Sequence, residues 1–164
     1  MLQEILIAIQ LSHPNMSAGT LQQYAQSIDQ QAVVAGVNPL DFVAIIEHES
    51  RFRPYVKSFD REDFGLMQVR ARYFKGKAEW LFNPVVNIQA GAHVIKGVVS
   101  MCEKHLGRKP TMSEYGSCYL GQCGSKASFC RPTKKSTLRE RYRNCLANVV
   151  AGNDDIKTCK AIYN

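Results

Sequence analysis

At 164 residues the chain is long enough for one domain with a proper hydrophobic core. Its 45% hydrophobic and 21% charged content describes an ordinary globular protein and excludes a disordered one, and no apolar run approaches a membrane span. The net charge of +7 favours a polyanionic partner such as nucleic acid, anionic lipid or acidic wall polymer, without choosing among them.

Taken in order, residues 1–11 are apolar at Leu2, Ile5, Leu6, Ile7, Ile9 and Leu11. A signal peptide is the tempting reading but is not expected, given the missing basic n-region, Glu4, and His13-Pro14 where small residues would mark cleavage. A packed amphipathic helix is expected instead. Ser17 is a cap for a second helix to about Val34, with Leu21, Tyr24, Ala25, Ile28 and Ala32 buried and Gly36 ending it.

A third helix is expected from Asn38, a good N-cap, with Pro39 at its first position and Asp41 in its first turn. Leu40, Val43, Ile45 and Ile46 fall at helical spacing, and Pro54 stops the helix. Glu49 then lies in the last turn, at the edge of an apolar face. The helix dipole and burial both disfavour its charged form there, which suits a general acid. Glu47 falls on a different face. Residues 54–63 form a loop with three acids, Asp60, Glu62 and Asp63, and Gly65-Leu66-Met67-Gln68 follows. On composition alone Leu66 and Met67 belong to the core.

Residues 74–82 read as a loop around the only tryptophan, Trp80. Asn83-Pro84 opens a long helix with Ile88, Ala92, Ile95, Val99 and Cys102 on one face, Gly91 and Gly97 allowing close packing, and Gly107 as its cap. Thr111 and Glu114 form a capping box for a helix holding Tyr115, Cys118 and Tyr119. Thr137 and Glu140 suggest another, for a helix ending near Gly152 with Leu138, Tyr142, Cys145, Leu146 and Val149 inward and its arginines mostly outward. Asp154 and Asp155 open a short final helix.

Cysteines Cys102, Cys118, Cys123, Cys130, Cys145 and Cys159 are even in number and clustered late, which suggests disulfides and an oxidising compartment. Six cysteines allow 15 pairings, so none is chosen. Zinc at Cys102, His105, Cys118 and Cys123 is the rival reading, but no clean CxxC pair supports it, and no metal or cofactor is expected. Lys126, Arg131, Lys134, Lys135, Arg139, Arg141 and Arg143 form a basic run, read as a solvated face. No glycine-rich, zinc-finger or RNP signature supports nucleic-acid binding.

Three blocks carry a resemblance: Glu49-Ser50-x-Phe52-x-Pro54, then Gly65-Leu66-Met67-Gln68, then Asn83-Pro84-x-x-Asn87-Ile88-x-x-Gly91-Ala92. In this order and spacing they resemble the lysozyme-like lytic transglycosylases, which cleave the glycan strands of bacterial peptidoglycan. With Val69, the second block also resembles goose-type lysozymes of the same fold. The resemblance implies a mainly α, lysozyme-like single domain over residues 1–164. Its catalytic core is about 37–122, its N-terminal helices 1–36, and its cysteine-rich basic helical tail 123–164. It further implies Glu49 as the catalytic acid, with Ser50, Gly65, Met67, Gln68 and Tyr119 binding substrate and Asn87 and Gly91 supporting the site.

Two departures bear on the reaction. The family often has a Gly-Ala pair where this chain has Arg61-Glu62-Asp63, and Leu120 replaces an asparagine usual after Tyr119. Goose-type enzymes place acids nearby to position water, a part open to Asp60 or Asp63. They also carry an acid where this chain has Arg70. The expected function is cleavage between N-acetylmuramic acid and N-acetylglucosamine, giving a 1,6-anhydro end. A goose-type muramidase and a non-catalytic wall-binding protein are the alternatives. The expected location is the periplasm, cell envelope or exterior, in a bacterial or phage-derived setting. The basic C-terminal face would hold anionic wall polymer.

Overall fold

In the computed structural model residues 1–121 and 129–163 are described. Seven α-helices run through them: α1 Leu2–Ser12, α2 Ala18–Ala35, α3 Pro39–Ser50, α4 Pro84–Leu106, α5 Met112–Tyr119, α6 Lys134–Val150 and α7 Ile156–Lys160. The only named strands among the described residues are β1 Asp63–Phe64 and β2 Val69–Arg70. The protein is mainly α, as expected.

The chain divides into two compact units, Met1–His93 and Val94–Asn164, with the boundary inside α4. In the first unit α1, α2 and α3 pack on one another. Their starts and stops are set locally. Ser17 accepts from the Thr20 amide, Asn38 accepts from the Leu40 amide, and Gly36 closes α2 at φ +71°. α3 is buried along most of its length, from Pro39 to Ile46, so it forms the middle of this core. It stops at Ser50, before Pro54 is reached, because Arg51 turns into the left-handed region.

The segment between α3 and α4 contains what sequence patterning did not suggest. β1 and β2 pair antiparallel, Asp63 opposite Arg70 and Phe64 opposite Val69. The Gly-Leu-Met-Gln block is the turn joining them. The stretch around Trp80 is not irregular throughout: residues Ala78–Phe82 form a 3-10 helix.

In the second unit α5 packs on α6, and α6 on α7. The Thr111–Glu114 capping box forms as expected. The Thr137–Glu140 box does not. α6 starts four residues earlier, capped reciprocally by Thr133 and Ser136, while Glu140 accepts from the Ser113 hydroxyl at 2.8 Å. Nor do all the α6 arginines point outward. Arg139 is wholly buried, whereas Arg141 is exposed.

Disulfide bonds join Cys102 to Cys130 and Cys145 to Cys159, and Cys118 is disulfide-bonded as well. Cys123 and Lys126 lie outside the described residues. The sulfurs of Cys102, Cys118 and Cys130 lie within 4.8 Å of one another. Sulfurs committed to disulfides are not thiolates, so this cluster is not a zinc site as it stands.

One helix, α4, is long and apolar enough by length and composition to cross a membrane, which the sequence reading did not allow for. Its buried stripe of Ile88, Ala92, Ile95, Val98, Val99 and Cys102, with wholly buried Asn87, has the character of a core helix. Of its two glycines only Gly91 is a packing site. A Cβ at Gly97 would meet nothing within 4 Å.

Candidate functional site

Glu49 occupies the last turn of α3 and is half-buried. The helix end that holds it is tightly built. Ser50 is 1% exposed and donates its hydroxyl to the Ile46 carbonyl. The Ser50 carbonyl accepts from both the backbone amide and the Nε of Arg53, and the Arg51 amide donates to the Glu47 carbonyl. Arg51 and Phe52 follow with φ of +51° and +56°. Two successive non-glycine residues in the left-handed region are costly and persist only where packing imposes them.

The packing that imposes them comes from the other two helices. The Phe52 ring lies between His13 at 4.9 Å and Tyr24 at 6.2 Å. Burial, with a smaller effect from Tyr55, pushes the Tyr24 hydroxyl above its ordinary range. His13 Nε2 in turn pairs with the Glu47 carboxylate. Glu47 is thus a link between α1 and α3. His13, Tyr24 and Phe52 were not singled out from sequence for this support, since residues so far apart in the chain carry no local signal of it.

The Gly-Leu-Met-Gln turn is fixed from within the same unit. Leu66 and Met67 are wholly buried. Asn87 of α4, itself wholly buried, receives the Met67 amide at 2.7 Å and donates to the carbonyls of Phe64 at 2.7 Å and Leu81 at 2.8 Å. One side chain therefore ties the hairpin and the Ala78–Phe82 turn to α4. Gly65 sits at φ +74°, where a Cβ would lie 2.2 Å from the Leu81 carbonyl oxygen. At Gly91 a Cβ would lie 2.4 Å from the Met67 sulfur. Gln68 donates from Nε2 to the carbonyls of Val56 and Gly65. Its amide nitrogen is occupied by backbone, and Oε1 is the end left to accept from a ligand.

The acidic loop is organised by a residue the sequence showed only as a departure. Arg70 Nε donates to Asp63 across the hairpin at 2.9 Å, its Nη2 to Asp60 at 2.9 Å, and its Nη1 lies 3.5 Å from Glu62. These acids hold the Arg70 guanidinium well above its ordinary range, Asp63 most strongly. The Ser58 hydroxyl, the Glu62 amide and Arg70 hold the Asp60 carboxyl below the usual carboxylate range. Both candidate second carboxylates are thus committed to one cation. A line of three acids facing a single arginine across a turn is the signal that would have found this clamp.

Glu49, Ser50, Asp60, Asp63, Gly65, Met67, Gln68, Asn87 and Gly91 all belong to the first unit. Tyr119 ends α5 in the second. The sequence model for the Transglycosylase SLT domain matches residues 26–113, more than half of the chain. No curated protein and no solved structure matches it.

Proposed function

Because the chain belongs to the transglycosylase SLT domain family, we propose that it cuts the β-1,4 bond between N-acetylmuramic acid and N-acetylglucosamine in peptidoglycan, with Glu49 as general acid and then base. The observation that carries this reading is the placement of Glu49. It is a half-buried carboxyl on a helix end braced by Ser50, Arg53 and Phe52, inside the matched segment and in one unit with the Gly-Leu-Met-Gln turn. A carboxyl held in a fixed place is what proton transfer to a bound glycoside requires.

Glu49 protonates the bridging oxygen, and the C1–O bond breaks as positive charge develops at C1. The ring oxygen and the 2-acetamido group share that charge. The Glu49 carboxylate then takes the proton of the C6 hydroxyl, whose oxygen closes on C1 to form a 1,6-anhydro ring. No second carboxylate takes part. The Arg70 clamp supports this choice over hydrolysis, because Asp60, stabilised by Ser58 and by Arg70, is a weaker base toward water. Gln68 Oε1 and Tyr119 are assigned to the substrate. Ser50, Gly65 and Met67, closed off by packing, act by shaping the site.

The charge is unevenly placed. Residues 94–164 hold thirteen Lys or Arg against five Asp or Glu, a net of +8, while residues 1–93 hold eight against nine, a net of −1. Arg131, Lys134, Lys135 and Arg141 are all exposed, and none makes an ion pair among the described residues. This excess fits retention on an anionic wall polymer, with the protein in the periplasm, cell envelope or exterior of a bacterium or as a phage product.

The test is digestion of purified sacculi. Glu49→Gln keeps the shape and loses the proton, so turnover falls by about 10²-fold or more with the melting temperature kept. Anhydro ends weigh one water less than reducing ends and resist borohydride. Reducible ends, lost in Asp60→Asn, would assign a goose-type hydrolase instead. A folded wild type that binds sacculi without cutting them would assign a wall-binding protein.

A further inference from the structure

Trp80, the only tryptophan in the chain, is 57% exposed on the Ala78–Phe82 turn. An isolated exposed aromatic is ordinary. This one is held in place from behind. The Leu81 side chain next to it is wholly buried, and the Leu81 carbonyl accepts from Asn87. Phe82 packs against Phe64 with ring centres 5.4 Å apart. On the other side lies Gly76. A Cβ there would fall 2.8 Å from Trp80 Cε3 and 2.5 Å from Phe74 Cε1, so only a glycine lets the backbone lie against both rings. Gly76 has no positive φ, so the demand is one of space.

The surroundings are polar. Lys75, Lys77 and Glu79 are all exposed, and the indole N–H has no protein acceptor among the described residues. A fixed aromatic with a hydrogen-bonding rim matches a pyranose, which has an apolar face of C–H groups and a rim of hydroxyls and acetamido groups. An apolar protein surface would leave those charged neighbours without partners. Fixing the ring beforehand also lowers the entropy lost when a ligand stacks on it.

We propose that Trp80, backed by Gly76 and Phe74, is a stacking platform for a sugar ring of the glycan strand. The platform rests on the glycan reading of the preceding section, and it binds without taking part in the proton transfers.

As the sole tryptophan, Trp80 reports on itself. Glu49→Gln protein is titrated with soluble, uncrosslinked peptidoglycan strands while tryptophan emission is followed. A saturable blue shift or quench is expected. In the otherwise wild-type chain, Trp80→Ala should raise KM about tenfold with kcat within about twofold, the size expected for a lost ring stack. Trp80→Tyr should recover much of the loss, and thermal melts of both variants exclude unfolding. Unchanged emission together with an unchanged KM in a chain that cuts sacculi would overturn the platform and leave the proposed reaction standing. An emission change in a wild type that never cuts would support the platform and reject the reaction. Neither cutting nor an emission change would reject both.

Discussion

Gly65 and Asn87 are packed so closely that a Cβ on the glycine would fall 2.4 Å from the asparagine Nδ2. The obstruction includes the Leu81 carbonyl, which belongs to the backbone and cannot swing aside. Gly65→Ala should therefore cost about 3 kcal/mol, from clash and left-handed strain combined. Gly97→Ala, in an exposed and unobstructed helix position, should instead gain about 0.5–1 kcal/mol. Urea titrations of the two variants give the opposite signs directly.

Asn87 offers a sharper test of what holds the turn. Asn87→Ala strands the Met67 amide and the carbonyls of Phe64 and Leu81 in a dry place, at about 3 kcal/mol or more in total. Amide exchange at Met67 should quicken beyond the global change in stability. If Met67 exchanges no faster than the α1–α3 amides, the side chain does not anchor the turn.

His13 and Glu47 are partly shielded, with side chains 24% and 15% exposed, so their pairing has more weight than a surface bridge. Glu47→Gln is therefore expected to act on stability. A double-mutant cycle with His13→Ala and Glu47→Gln should give a coupling of about 1 kcal/mol. Additive losses would mean that the pair contributes nothing to holding α1 on α3.

Glu114 carries an acid-side dependence. Arg108, and then the Thr111 amide, hold its carboxyl below the ordinary value. A depressed folded-state pKa gives stability that is present above the unfolded value, near 4.3, and is lost as pH falls through the lower folded value. Glu114→Gln keeps the cap geometry but not the charge. Melting temperatures measured downward from pH 5 should fall less steeply for the variant than for the wild type. Parallel curves would remove Glu114 from the acid response.

The residues legible in the sequence were those whose reasons are local. Ser17, Asn38 and Thr111 cap the helices that follow them, and Gly36 closes the one before. The hairpin was not legible, because strands of two residues leave no alternation to detect. The expected Thr137-x-x-Glu140 box did not form, because Glu140 is taken by Ser113, 27 residues away, and Thr133 with Ser136 caps α6 instead. Arg139 is inward although charge placed it outward. Glu49 and the turn were singled out as candidates through their wording. The Arg70 clamp and the His13–Phe52–Tyr24 brace depend on which chain segments meet, and wording alone does not encode that.

The placement of sulfur has a consequence for how the protein is made. Every cysteine lies after residue 93, and the bonds Cys102–Cys130 and Cys145–Cys159 close segments separated by 28 and 14 residues. The unit that carries Glu49 contains no bond a thiol can break. Synthesis in a reducing space would leave the cationic unit alone without its covalent ties, and an oxidant met later would supply them. Maturation by oxidation is therefore confined to the half of the chain that bears the excess charge.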